Sequence, residues 1–215
     1  MFKAVVFDMD GVITDTEKLY RRFQIEEGLE WGIPEELMHK ACERIAGGNK
    51  YTNKAVFEEI VGMGIDYFEY REKMIARLDK FTLENGVELK KGVKETLAYL
   101  SDKGIKIGLA TSTVKERAIR YLNQHDIYKY FDKLVFGNMV PNGKPAPDIY
   151  LKACEELEVL PEEAIAVEDS INGIKSAGRA GMYPVMVIDL IKPNDEIREY
   201  AKAIYEDMTY LRELI

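Results

Sequence analysis

Lys3-Ala4-Val5-Val6-Phe7-Asp8-Met9-Asp10-Gly11-Val12 is the stretch on which the reading of this chain turns. The run Ala4 to Phe7 is apolar at every position, without the alternation of a half-exposed strand, which suits a strand buried on both faces. It ends abruptly in two carboxylates and a glycine. Alternate residues of an extended chain point the same way, so Asp8 and Asp10 can face one pocket. Carboxylates this close repel unless a cation stands between them, and Mg²⁺ is the natural hard cation for oxygen ligands. The same letters also admit a plain polar turn, because Asp-Gly is a common hairpin signal.

Working outward, similar short apolar runs bounded by turn residues recur at 105 to 110, 133 to 136, 164 to 168 and 183 to 188. Between most of them lie helical patterns: Val93, Leu97 and Leu100; Ala118, Ile119 and Leu122; Ile149, Tyr150, Ala153 and Leu157. This alternation predicts an α/β fold with a doubly wound, mostly parallel sheet. From 15 to 85 the rhythm breaks. Only amphipathic helical segments are found there, punctuated by Gly32-Ile33-Pro34, Gly47-Gly48 and Gly62-Met63-Gly64. The expected organisation is a core of 1–14 and 86–215 interrupted by a helical insert at 15–85, which would overhang one edge of the sheet.

Open parallel sheets bind ligands beyond the carboxyl ends of their strands. The second run leads into Thr111-Ser112-Thr113, and Thr113-Val114-Lys115-Glu116 reads as a capping box opening a helix. Hydroxyls and free amides at a helix N-terminus suit an anion such as phosphate, although ordinary capping would account for Thr113 alone. Lys144 follows Gly143 and precedes Pro145-Ala146-Pro147-Asp148, prolines that stiffen its approach to a helix. An ammonium there can neutralise phosphate and keep a nucleophilic carboxylate ionised, whereas a solvated loop lysine is the plainer reading. The fourth run ends in Glu168-Asp169-Ser170-Ile171-Asn172-Gly173, where paired acids can complete a magnesium shell or simply cap the next helix.

The order Asp-x-Asp-Gly, Thr/Ser, Lys-Pro, Glu-Asp closely resembles the haloacid dehalogenase-like superfamily over nearly the whole chain. The segments Phe7 to Thr16 and Gly143 to Tyr150 are similar to its beta-phosphoglucomutase-like branch. That resemblance implies that Asp8 attacks phosphorus to form an aspartyl-phosphate, and that Asp10 serves as general acid and base. It also implies that Gly11, Thr111, Ser112 and Lys144 meet the phosphate, and that Asp8, the Asp10 carbonyl, Asp169 and Glu168 surround Mg²⁺. The insert resembles the family's cap, which excludes water and selects substrate. Dehalogenases of the family lack the second aspartate, so Asp10 favours phosphoryl chemistry. Three positions depart from the mutases: Tyr20 stands where they carry a histidine, Lys50 where they carry a phosphate-binding arginine, and Val114 where a lysine grips the distal phosphate. The expectation is therefore a phosphatase acting on a small phosphate monoester, a sugar phosphate above all, with Tyr20 and Lys50 as substrate contacts. A phosphosugar mutase and a non-catalytic binding protein that keeps the fold are its rivals.

Composition sets the outer limits. With 47% hydrophobic and 32% charged residues the chain is ordinary globular protein, and its net charge of −8 offers no broad basic face to nucleic acid or anionic lipid. No apolar run approaches a membrane span, and a strand follows Met1 at once in place of a secretory signal, so a cytoplasmic location without membrane association is expected. Cys42 and Cys154 form no CxxC pair and read as reduced structural thiols, and two histidines, His39 and His125, exclude a histidine-rich metal centre. The lone Trp31 and the aromatic-rich insert present no clear self-association patch, and the expectation is a monomer.

Overall fold

Full burial of Ala4, Val5, Val6 and Phe7 places β1 (Ala4–Phe7) in the interior of a sheet, with both of its faces covered. The computed structural model describes residues 2–45, 50–62 and 64–215. Around β1 stand β2 (Lys106–Thr111), β3 (Lys133–Phe136), β4 (Ala164–Glu168), β5 (Tyr183–Val187) and β6 (Ala203–Tyr205) in the order β3-β2-β1-β4-β5-β6. Every pairing is parallel. Five strands coincide with the apolar runs of the sequence to within a residue or two. β6 does not, because three half-buried residues at an edge carry too little apolar pattern to be distinguished from loop.

Helices α5 (Val93–Asp102), α6 (Lys115–Gln124), α7 (Asp148–Leu157), α8 (Ile171–Arg179) and α9 (Asp195–Tyr200) complete this unit, formed by Met1–Asp15 and Glu88–Ile215. One face of the sheet packs Ala4, Val6, Ala110, Ala164 and Ala166 against Ile149, Ala153 and Leu157 of α7 and Ala177 of α8. Small residues on the strands let the helices approach closely: a Cβ on Gly108 would stand 2.9 Å from a Leu157 methyl. In α6 the buried stripe is Arg117, Ala118, Tyr121 and Leu122, and Ile119 is only half-buried.

The second compact unit, Thr16–Val87, holds α1 (Glu17–Glu30), α2 (Glu35–Ile45), α3 (Lys50–Val61) and α4 (Tyr67–Asn85) and, among its described residues, no strand. Its interior is aromatic: Phe57 stacks on Tyr70 at 4.8 Å between centroids, with Tyr67, Met38 and Cys42 in the same cluster. Glu27 is buried there, accepting hydrogen bonds from Trp31 Nε1 at 2.8 Å and Arg77 at 3.1 Å. Among the described residues no helix is long and apolar enough to cross a membrane.

Candidate active site

In-register pairing sets Phe7 level with Leu109 of β2 and Val167 of β4, so the residues that follow all three strands emerge together at one end of the sheet. The neighbouring strands β1 and β4 send the chain to opposite sides, β1 onward to β2 and β4 onward to β5, which makes the gap between them the topological switch point where such sheets hold ligands. The Asp8 amide extends the ladder by one bond, donating to the Val167 carbonyl at 3.0 Å. Amides of Ile13 and Thr14 then converge on the Met9 carbonyl at 2.8 and 2.9 Å and close a tight turn. Gly11 has φ +79°, and a Cβ on it would fall 2.2 Å from Asp169 Oδ2, so both the turn and the neighbouring carboxylate require glycine.

Lys144 ties the strand ends together. Its side chain is 7% exposed, and its ammonium donates to Asp8 Oδ1 and Glu168 Oε1, both at 2.6 Å, and to the Ala110 carbonyl at 3.1 Å. The loop that carries it is pinned to α8, where Ser176 donates to the Ala146 carbonyl at 2.6 Å and Arg179 to the Pro145 carbonyl at 2.9 Å. Glu168 is saturated with donors. Tyr150 Oη reaches Oε1 at 2.7 Å, and the Ser170 hydroxyl and Asp169 amide reach Oε2 at 3.2 and 3.3 Å. A Cβ on Gly173 would lie 2.0 Å from either Glu168 oxygen, which explains a glycine inside α8, where alanine is ordinarily preferred.

Burial pushes the Asp8 carboxyl up to about 7, against the pull of the Lys144 ammonium and with the help of Glu168 and Asp10. Burial also works to depress the Lys144 ammonium, but Asp8 and Glu168 outweigh it and hold Lys144 firmly protonated. Oxygens of Asp8, Glu168 and Asp169, all buried, lie within 4.8 Å of one another. One ammonium serves Asp8 and Glu168 and leaves surplus negative charge beside Asp169. A hard divalent cation fits that all-oxygen donor set.

The structure corrects one detail of the β2 exit. Thr113 does not cap α6, which begins at Lys115 behind Val114 with no side-chain cap. Its hydroxyl donates instead to Asp10 Oδ2, across 103 residues of sequence. Thr111, fully buried, accepts from the Thr113 amide at 3.0 Å and keeps its hydroxyl hydrogen to donate, while Ser112 is exposed. Tyr20 and Lys50 belong to the helical unit. Tyr20 is half-buried against Phe23, Met74 and Leu78, and Lys50 is exposed with its ammonium 5.0 Å from the Tyr51 ring centroid. Gly47, Gly48 and Asn49, which precede Lys50 in the sequence reading, lie outside the described residues.

Sequence reasoning missed Thr113, Tyr150, Ser170 and Gly173 as supports of the site. Tyr150 reads as one more apolar residue of a helical stripe, and nothing local marks its hydroxyl as a donor to a residue on β4. Gly173 carried a legible signal, a glycine early in a helix beside paired acids.

The family model described as haloacid dehalogenase-like hydrolase matches residues 2–181. The "Phosphorylated carbohydrates phosphatase" of Thermotoga maritima is 38% identical over 181 residues, 84% of this chain and 82% of that protein. The "Beta-phosphoglucomutase" of Bacillus subtilis is 34% identical over 199 residues, 86% of this chain and 83% of that one. Among solved structures, CbbY from Rhodobacter sphaeroides in complex with phosphate superposes with a TM-score of 0.78 at 26% identity, covering 96% of this chain and 95% of that one.

Proposed function

Because the chain belongs to the haloacid dehalogenase-like hydrolase family, we propose that it is a Mg²⁺-dependent phosphatase that hydrolyses a small phosphate monoester, a sugar phosphate in the first instance. The observation that carries this reading is the Lys144 ammonium bridging Asp8 and Glu168 at 2.6 Å with Asp169 alongside. The cation, held by Asp8, Asp169 and the Asp10 carbonyl, would supply positive charge to the phosphate oxygens and lower the repulsion Asp8 meets as it approaches them. Glu168, with both oxygens already engaged, serves as the anchor of Lys144 rather than as a direct ligand.

Lys144 orients Asp8 and, by charge-assisted hydrogen bonding, favours its ionised form against the opposing effect of burial. An Asp8 oxygen forms a bond to phosphorus while the ester oxygen departs, and Asp10 delivers a proton to that leaving oxygen. Asp10, now a carboxylate, takes a proton from the water that attacks the aspartyl-phosphate. Inorganic phosphate leaves and Asp8 and Asp10 return to their starting states. Thr113 holds Asp10 in place for both transfers. The Thr111 hydroxyl and the amides following β2 provide hydrogen bonds to the transferring phosphoryl group, whose reaction depends on positioning and charge more than on covalent chemistry. Gly11 keeps the turn clear for its approach, and Ser112 offers a further hydroxyl at the exposed edge. The unit Thr16–Val87, with Tyr20 and Lys50, takes the role of the substrate-selecting cap.

The relative named as a beta-phosphoglucomutase favours one second reading, a phosphosugar mutase. Val114, 55% exposed and apolar, cannot grip a second phosphate as a lysine would, which weighs towards hydrolysis. Phosphate release from a panel of sugar phosphates, nucleotides and phosphonates, with and without Mg²⁺, tests both. A phosphatase liberates inorganic phosphate without a bisphosphate activator, needs Mg²⁺, and loses the activity to background in Asp8→Asn. A mutase conserves ester phosphate. Undiminished release by Asp8→Asn would refute the nucleophile.

A further inference from the structure

Asp189 lies two residues beyond β5, at the same end of the sheet as Asp8, Lys144 and Asp169, and none of the motifs above includes it. Its side chain is 3% exposed. Oδ1 accepts from Lys90 Nζ at 2.6 Å, and Lys90 also meets Asp15 at 3.3 Å. Oδ2 is buried and has no hydrogen-bond donor among the described residues. That oxygen stands 3.2 Å from the point a Cβ on Gly11 would occupy, and Asp169 Oδ2 stands 2.2 Å from the same point. The two oxygens can therefore be no further apart than those distances laid end to end, beside the Gly11 turn.

A buried carboxylate oxygen left without a donor forfeits the hydrogen bonds it had in water and is costly in free energy, more so when the group is charged. Lys90 does not explain the arrangement, because one oxygen satisfies it and Asp15 already supplies a second counter-charge. We infer that Asp189 is a positioning residue for the divalent cation, an outer-shell acceptor whose free oxygen takes hydrogen bonds from the ion's water shell next to Asp169. The inference rests on the metal-dependent reading above. Mg²⁺ keeps several of its waters when bound by few carboxylates, and those waters are strong donors that need fixed acceptors. Lys90 then holds Asp189 in one rotamer through Oδ1 and directs Oδ2 towards the ion. Asp15, which shares the same lysine, provides the counterpart carrying equal charge.

Titration calorimetry of Mg²⁺ into the substrate-free, full-length protein decides the matter. In Asp189→Asn the dissociation constant should rise about tenfold, the usual consequence of losing an outer-shell partner. In Asp15→Asn, which removes the same charge from the same ion cluster, it should change less than about threefold. Asp189→Ser provides the same comparison should the asparagine variant not fold. An unchanged constant in the Asp189 variants overturns the inference and leaves the phosphatase reading standing. An equal loss in Asp15→Asn also overturns it, since bulk charge would then suffice. A wild-type chain that binds no Mg²⁺ refutes the metal-dependent reading itself.

Discussion

Thr113 shows how one side chain can be read correctly by type and wrongly by partner. Its spacing to Glu116 matches a capping box, and a cap would hold it within its own helix. The fold instead turns its hydroxyl to Asp10, leaving the cap position to Val114. In the proposed mechanism Asp10 both gives and takes a proton, and the hydrogen bond from Thr113 would fix which of its oxygens is left for that exchange. Thr113→Val keeps the shape and the amide bond to Thr111 but removes this donor. Steady-state kinetics should show kcat reduced about tenfold, a fraction of what general acid-base catalysis contributes, with KM little changed. A variant with wild-type kcat would show that Asp10 needs no such support. The same limitation hid Tyr150: its position in α7 follows from periodicity, but its bond to Glu168 does not.

At the scale of elements, the short C-terminal pieces were the hardest to foresee: Ile197, Met208 and Leu211 bury them, and polar contacts fix their ends. Asp207 caps the 3₁₀ segment Met208–Leu214, accepting from the Thr209 amide at 2.9 Å, and pairs with Lys91 at 2.7 Å just before α5. Gly92 makes room for this contact, since a Cβ there would lie 2.7 Å from the Thr209 methyl. Hydrogen bonds from Lys91 and Thr209 bring the Asp207 carboxyl down to about 2. A carboxyl depressed in the folded state stabilises it above the unfolded value near 4, and that contribution is lost as pH falls from about 4 to 2. Urea denaturation should therefore find Asp207→Ala destabilised by about 1 kcal/mol at neutral pH, the ordinary cost of a lost cap. The difference from wild type should shrink as the pH is lowered through that interval. A constant difference down to pH 2 would show that the charge is not responsible.

At the scale of the whole molecule, all the proposed metal-facing carboxylates belong to the unit of Met1–Asp15 and Glu88–Ile215. Ligand binding stabilises what it binds, by about 2.7 kcal/mol at a hundredfold excess over the dissociation constant. Hydrogen exchange with and without Mg²⁺ should thus show added protection in β1 and β4 and none in α1 to α4. Protection confined to the helical unit would place the ion elsewhere. The sequence by itself determined the parallel α/β class and five of six strands, because a strand buried on both faces must be apolar throughout and is bounded by residues that cannot be. It also marked Asp8, Asp10, Thr111, Lys144, Glu168 and Asp169 as candidates, since each stands where a strand or loop gives way to a helix. Tertiary structure alone decided that Lys144 bridges Asp8 and Glu168, that Thr113 donates to Asp10, and that Asp189 brings an oxygen without a donor among the described residues beside the Gly11 turn. Such pairings join residues brought together by strand order and register, and hydrogen bonds across 103 or 136 positions leave no local trace in the chain.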